Sequence, residues 1–381
     1  MSFEMDLGLT SEHEKLRQAF REFAEQQIKP NAQEYDRQEQ FPAALIQKLA
    51  DQNFFGASLP IDWGGSGLDA ISYGLLHEEI GKACSSVRSL LTVHQMVAHA
   101  ILKWGSDEQR SHWLPSLAQG QTIAAFALSE SNVGSDAEHV ETTATLAGDR
   151  YVLNGLKKWI TGGQLAGLFL VFANCEGKPT AFLVEKDSPG LVIEPVSGVL
   201  GMRASMLATL ALKDCSVPQD NILGKPGFGF SHVATAALQE GRYSVAWGCV
   251  GIAQGCLEAC LQYTSERKQF GSLLKDHQLI RRMISDMITN VKAARLLCLQ
   301  AGSAKEQGAQ KAFVDTMTAK YFAARVAAQS AADAVQIHGA NGCSDDYPVA
   351  RYFRDAKIME IIEGSNEIQQ LKIAEYAYYG F

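Results

Sequence analysis

The sequence predicts an α+β chain built in three stretches: a helical domain over residues 1–120, a small antiparallel β domain over 121–228 and a second helical domain over 229–381. Three observations predict it. The outer stretches repeat apolar residues at helical spacing. The middle stretch breaks into short apolar or alternating runs between turns rich in Gly, Asp, Asn and Pro. A chain of 381 residues is also long for one hydrophobic core and suits two or three packed domains.

In the first stretch Leu16, Phe20, Phe23 and Ile28 recur at helical spacing between Glu12 and Ala32, and Pro30 marks a place where that helix can stop. The run from Pro60 to Gly67, with Gly64 and Gly65 inside it, is a strong break because its glycines permit positive φ. In the middle stretch TIAAFAL, YVLNG, LFLVFA, TAFLVE, LVIEPV and ATLALKD read as strands. Long helices follow over 231–265, 276–305 and 310–338.

Composition narrows the function classes. Apolar residues make up 46% and charged residues 20%, as in an ordinary globular protein. A net charge of -8 and a pI near 5.6 argue against a nucleic-acid surface, which needs a basic stripe. No apolar run reaches the length of a membrane span, and the acidic start of the sequence lacks the pattern of a secretory signal. The eight cysteines include no CxxC pair, so neither a zinc site nor a disulfide framework is indicated; Cys256 and Cys260, one helical turn apart, read as helix packing. A reducing cytoplasm is the expected location.

Four segments carry candidate chemistry. Residues 126–136 read as a strand and a polar turn whose N–H groups and hydroxyls suit an anion or polar ring, or equally as a plain hairpin turn. Trp159 and Thr161, two residues apart on a strand, share a face: an indole to stack on a flat ring and a hydroxyl to bond its nitrogen, or a core plug before a turn. Arg267, Gln269, Phe270 and Gly271, followed by His277 and Gln278, suit a pyrophosphate and an adenine, or a basic helix end closed by glycine. Glu363 follows Ile358, Met359, Ile361 and Ile362; an apolar setting raises a carboxylate's pKa and makes it a stronger base, although a carboxylate at a loop-to-helix junction fits the same pattern.

In this order the segments resemble the acyl-CoA dehydrogenase family, from Leu9 nearly to the C-terminus, with residues 60–67, 336–342 and 362–365 adding to the match. The resemblance implies a helical N-terminal domain, a middle β domain and a C-terminal four-helix bundle. It implies FAD between the β domain and the bundle, with a neighbouring subunit of a homodimer or homotetramer completing the site. Carried over by position, Phe126, Leu128 and Ser129 would contact the isoalloxazine, Trp159 would flank it and Thr161 would bond near N5. Ser135 would lie near both flavin and substrate. Arg267, Gln269, Phe270 and Gln278 would serve a neighbour's FAD, Gln336 and Gly339 would add backbone-level contacts, and Ser365 and Glu367 would line the cleft. Many relatives carry Tyr at the positions of Phe126 and Ile362. Glu363 matches the family's base, which takes the α-proton while a β-hydride goes to the flavin. Some relatives place the base on the helix of residues 238–242; there Gly241 is the matching position and Glu240 lies one residue away, about 100° around a helix.

Two features bear on the substrate. Residues 85–93 resemble glutaryl-CoA dehydrogenases, whose matching Arg holds a distal carboxylate; this implies a clamp by Arg88 beside Ser89, although an Arg near a helix end is an alternative. Residues 241–251 and 354–365 resemble dehydrogenases of polyketide and nonribosomal-peptide pathways, which form hydroxymalonyl or aminomalonyl units on an acyl carrier protein. In that branch a hydrated C3 aldehyde would lose hydride to FAD and become a carboxylate held by Arg88 and Arg242, near Gly364. Trp247, bulky on a helix that lines the acyl pocket, would exclude long chains. The expectations are therefore a carrier-protein-linked dehydrogenase, a short-chain or dicarboxylyl-CoA dehydrogenase, or a catalytically silent flavin-binding scaffold. An electron-transfer flavoprotein or oxygen would accept the electrons.

Overall fold

The structure, a computed structural model, describes residues 8–380. Helix α1 (Ser11–Phe23) opens on a capping box in which Thr10 Oγ1 accepts from the His13 amide at 3.2 Å and His13 Nδ1 accepts from the Thr10 amide at 3.3 Å. The helical path does not stop at Pro30. It loosens through a π turn (Ala24–Ile28), tightens through a 3-10 turn (Lys29–Asn31) and continues as α2 (Ala32–Gln38). Pro30 is tolerated because it stands in the first positions of that 3-10 turn, where its missing N–H is not needed. Helices α3 (Ala43–Asp51), α4 (Ala70–Ala83), α5 (Ser85–Trp104) and α6 (Asp107–Ala118) complete the N-terminal layer. From Ser72 onward α4 is buried on every side, because it lies between the outer helices and the C-terminal ones. Its Glu78 pairs with Arg295 at 2.5 Å, and Glu79 with Arg17 at 3.3 Å and Arg21 at 3.1 Å, which ties three helices together.

The β domain holds β1 (Ala124–Ala127), β2 (Thr143–Ala147), β3 (Arg150–Ile160), β4 (Leu168–Cys175), β5 (Lys178–Glu185), β6 (Leu191–Pro195), β7 (Ala208–Pro218) and β8 (Ile222–Leu223). The sheet order is β6-β7-β3-β2-β4-β5-β8, with β1 beside β4. It is not purely antiparallel: β1 runs parallel to β4, Ala124 facing Leu168, and β2 meets β4 in parallel at Thr143 and Asn174. The chain reaches β4 from β1 only after the β2–β3 detour, a connection long enough for a parallel return. Strand β4 is buried on both faces. Leu168, Leu170 and Phe172 join α5 and α6 in one core, while Phe169, Val171 and Ala173 join β3 and β7 in another.

In the C-terminal stretch a π turn (Gly229–Ala234) leads into α7 (Thr235–Glu266). The hairpin β9 (Lys268–Gln269) and β10 (Ser272–Leu273), α8 (Gln278–Glu306), α9 (Ala312–His338), α10 (Val349–Met359) and α11 (Asn366–Tyr379) follow. Helices α7, α8 and α9 pack on one another, α10 and α11 pack on α9, and α4 and α5 pack on α7. Contrary to the sequence expectation, Gly229–Glu266 is long and apolar enough to cross a membrane by length and composition, but 78% of that apolar window is buried inside the fold. A helix enclosed by neighbours on all sides has no polar face to keep.

Candidate active site

Glu363 stands in the loop between α10 and α11. Buried Tyr352, Ala356 and Met359 anchor α10 on one side, and Ser365, whose Oγ accepts from the Ile368 amide, starts α11 on the other. Between these anchors the backbone is left-handed at Glu363 (φ 55°) and Gly364 (φ 84°). A residue with a Cβ adopts that conformation at a cost of about 1–2 kcal/mol. Three side chains hold it there. Arg242 Nε donates to the Glu363 carbonyl at 3.3 Å, Gln369 Nε2 donates to the Glu363 and Gly364 carbonyls at 3.0 and 3.1 Å, and Lys320 Nζ donates to the Gly364 carbonyl at 2.7 Å.

The carboxylate turns inward. Glu363 as a residue is partly exposed, yet its Oε2 is closed to solvent and makes no hydrogen bond. It lies against Gly241 of α7. A Cβ at 241 would stand 2.7 Å from Glu363 Cδ and 2.7 Å from Met96 Sδ, with Oε2 nearer still. Burial pushes the Glu363 pKa up to about 7, against the pull of the Arg242, Arg88 and Lys320 cations. A desolvated carboxylate with that pKa and no partner is a competent base at neutral pH. Glu240 is not: its Oε1 pairs with Lys305 Nζ at 2.6 Å. Burial raises Glu240, but Lys305 and His99 outweigh it and hold the carboxyl below its ordinary value.

From Gly241 the contact between α5 and α7 runs down to a polar floor made by Arg88, Thr92 and Ser244. Arg88 is completely buried, and its partners are neutral: Nη1 donates to Thr92 Oγ1 at 2.9 Å and to Ser244 Oγ at 3.4 Å, and Nη2 to Met359 Sδ at 3.7 Å. Its Nε has no partner. Gly248 makes the room, since a Cβ there would lie 2.8 Å from Nε. Thr92 and Ser244 share a hydrogen bond at 2.5 Å, and Ser244 Oγ lies 3.0 Å from His77 Nδ1. Burial, and then the Arg88 cation, drive the His77 pKa well below its ordinary value, so this imidazole is neutral. Arg88 therefore does not cap its helix but crosses to Ser244 of α7, while Ser89 is buried beside it. Trp247 is completely buried against Gly74 of α4, about 120° around α7 from Gly241, so it packs between α7 and α4.

The residues expected around a flat cofactor form two groups. In the first, Phe126 on β1 packs against Phe172 at 5.1 Å, and β1 leads into Leu128 and Ser129. A buried pair, Lys157 Nζ to Glu130 Oε1 at 2.6 Å, fastens that turn to β3. Lys157 also donates to the Leu128 carbonyl at 3.1 Å, and the Lys158 amide to the Ser129 carbonyl at 2.9 Å. This sets Leu128 and Ser129 beside Trp159. The strand alternation expected for Trp159 and Thr161 is broken: Trp159 has φ 64°, the β3–β7 register shifts between Lys157 and Ile160, and Thr161 already lies in a turn. The shift leaves the indole 50% exposed. Ser135 and Glu367 are exposed.

The second group stands at the far end of the bundle. Gln269 and Phe270 ride on the β9–β10 hairpin, whose two-residue loop, Phe270 and Gly271, has φ 50° and 80°. Gly271 therefore closes a hairpin rather than a helix end, and Arg267 follows α7 directly. Phe270 is 97% exposed. Gln278 begins α8, and Gln336 and Gly339 end α9, where His338 stacks on Tyr263 at 4.2 Å. Arg267 is 26 residues beyond Gly241 along α7, about 39 Å by helix rise, so this group stands far from the Glu363 loop of the same chain. Exposed, flat Trp159 beside the hydroxyls of Ser129 and Thr161 fits an aromatic ring system, and open Phe270 fits a second one.

Sequence reasoning missed Met96, Thr92, Ser244, His77, Lys320 and Gln369. Small residues at 241, 244 and 248 recur on one face of α7, and Thr92 is one turn from Arg88, so these carried a signal. Lys320 and Gln369 carried none, because they act on main-chain carbonyl groups, which no side-chain pattern marks.

Comparison with known proteins agrees with this fold. Residues 10–121, 125–215 and 227–378 match the N-terminal, middle and C-terminal domains of acyl-CoA dehydrogenases. The chain is 39% identical to the short-chain specific acyl-CoA dehydrogenase of Clostridium acetobutylicum, covering 97% of this chain and 99% of that one. Butyryl-CoA dehydrogenase from Megasphaera elsdenii superposes with a TM-score of 0.93 at 35% identity, covering 99% and 100% of the two chains. A glutaryl-CoA dehydrogenase from Mycobacterium smegmatis in complex with FADH2 gives 0.93 at 27% identity over 99% and 97%. FkbI, from biosynthesis of the methoxymalonyl extender unit of a polyketide, gives 0.86 at 33% identity over 95% and 98%.

Proposed function

The chain belongs to the acyl-CoA dehydrogenase family, and from that premise we propose that it oxidises the α,β bond of a short acyl thioester with Glu363 as the base. As a family member it is an FAD-dependent oxidoreductase of acyl thioesters. The bound flavin supplies a two-electron acceptor; the protein supplies the rest. The observation that carries the reading is the Glu363 carboxylate, dehydrated, unpaired and seated in the space left by Gly241. There it can take a proton from a carbon next to the thioester carbonyl.

The floor supports a short acyl group. Ser244 is three residues from Gly241, about 4.5 Å along the helix axis, and at that depth it meets the Arg88 guanidinium, which leaves little length for an acyl chain. The likeness to short-chain and butyryl-CoA enzymes supports the same limit.

A second reading is favoured by Arg88. A guanidinium buried with only neutral hydrogen-bond partners is costly, and a carboxylate at the end of the acyl group would balance it. That suits a dicarboxylyl thioester. It also suits a carrier-protein-bound unit that becomes malonyl-like, with hydroxyl or amine on the α-carbon, a reading the FkbI likeness supports. Retention of Glu363 speaks against a silent scaffold. The far group, Arg267 to Phe270, would serve the flavin of a second copy in a homodimer or homotetramer. An electron-transfer flavoprotein or oxygen would reoxidise the enzyme.

Anaerobic mixing of the flavin-loaded enzyme with butyryl-CoA, glutaryl-CoA and carrier-protein-bound three-carbon thioesters tests these readings. Rapid bleaching by butyryl-CoA supports the first, and bleaching by carboxylate-bearing or carboxylate-forming thioesters alone supports the second. No bleaching by any of them removes both.

A further inference from the structure

We propose that Lys320 is a positioning residue for the base: from α9 it fixes the loop on which Glu363 stands and sets the charge that the carboxylate faces. The proposal rests on Glu363 acting as the base. Lys320 is completely buried, and its ammonium hydrogen-bonds to the Gly364 carbonyl at 2.7 Å. That carbonyl belongs to the second of two consecutive left-handed residues, so the bond holds the loop where the backbone is least willing to stay.

A carbonyl does not need a lysine. Gln369, also completely buried, donates to the same carbonyl and to that of Glu363 with a neutral amide. Burying an ammonium is far more costly than burying an amide, so the hydrogen bond alone does not account for the residue. Its surroundings do. Lys320 is faced by Glu363 and Glu360 from the loop after α10 and by Cys249 and Arg242 from α7. Glu363 in turn is faced by Arg242 from α7, Arg88 from α5, Lys320 from α9 and the Tyr73 phenol from α4. Arg88 is engaged by Thr92 and Ser244, and Arg242 holds a backbone carbonyl. Burial brings Lys320 down to about 8 and Glu363 up to about 7, so near neutral pH both charged forms are within reach.

Two variants separate the hydrogen bond from the charge. Lys320→Gln keeps a donor and loses the cation; Lys320→Met loses both. In the flavin-loaded enzyme, backbone hydrogen exchange over residues 360–366 reads the loop. The pH profile of anaerobic flavin reduction by the best thioester of the panel reads the base. Lys320→Met should exchange faster and reduce flavin on the order of tenfold more slowly. Lys320→Gln should exchange like the parent while the acid limb of its profile moves up by about one pH unit, because a carboxylate that has lost a cation ionises less readily. Parental exchange in Lys320→Met, or an unmoved limb in Lys320→Gln, overturns the proposal, and the limb alone decides if Lys320→Met does not fold. Glu363→Gln is run alongside. Parental flavin reduction in that variant sinks the assignment of the base, whereas an inert Glu363→Gln with two parental Lys320 variants sinks only the role of Lys320.

Discussion

The Glu363 carboxylate occupies the space that a side chain on Gly241 would need. The two residues, one on the loop after α10 and one on α7, therefore exclude each other's side chains: a base can stand on one element or the other. Gly241→Ala should push the carboxylate off its seat. A displacement of about 1 Å lowers turnover on the order of 10²-fold. FAD content and far-UV circular dichroism should stay parental, because the atoms nearest the added methyl group belong to the Glu363 and Met96 side chains, which can turn aside. Parental turnover in Gly241→Ala would show that the carboxylate does not need that position.

Turnover should rise with pH through about 7, as burial-raised Glu363 gives up its proton. Stability should move the opposite way. In the unfolded chain Glu363 titrates near its ordinary value, about 4.3. Between that value and about 7 the folded protein holds a proton that the unfolded chain lacks, so this contribution is complete below the window and is lost as pH rises through it. Glu363→Gln should reduce flavin on the order of 10²–10⁴-fold more slowly and should melt higher than the parent at pH values above about 7. Thermal melts of the two proteins on either side of the window check the sign.

Arg88→Met should separate stability from specificity. Replacing a buried cation whose hydrogen-bond partners are all neutral by an apolar chain is neutral or stabilising, so the melting temperature should hold or rise. Turnover of carboxylate-bearing thioesters should fall on the order of 10²-fold, with plain butyryl-CoA affected far less. Equal losses on both substrates would remove the carboxylate clamp.

Lys157→Met should loosen the turn that carries Leu128 and Ser129. It leaves Glu130 buried with the Thr142 hydroxyl and the Glu141 and Thr142 amides but without its cation. Removing one partner of such a pair costs about 3–5 kcal/mol. Urea unfolding should show that loss, together with weaker FAD retention on dilution.

The helical and β stretches were legible because apolar periodicity reports burial on one face. Where an element is buried on all faces the signal vanishes, so the parallel place of β1 beside β4 could not be read, nor could the enclosed character of α4. Glu363 was legible as a charge in apolar surroundings, and Arg88 only through the resemblance of residues 85–93 to glutaryl-CoA dehydrogenases. The bulge at Trp159 was not, because a residue with positive φ looks in sequence like any other strand residue. Lys320 and Gln369 are readable only in three dimensions: their partners are main-chain carbonyls, which every residue has.

Helix α7 turns Gly241, Ser244 and Gly248 toward α5 and the Glu363 loop, and each of the three is already at or near the smallest a residue can be. Substitution at the glycines can only take volume away, and Ser244 has a single hydroxyl to give. A change of this enzyme toward bulkier acyl groups must therefore come from α5, by shortening Met96, Thr92 or Arg88, and the routes open to drift or to a designer lie on one wall only.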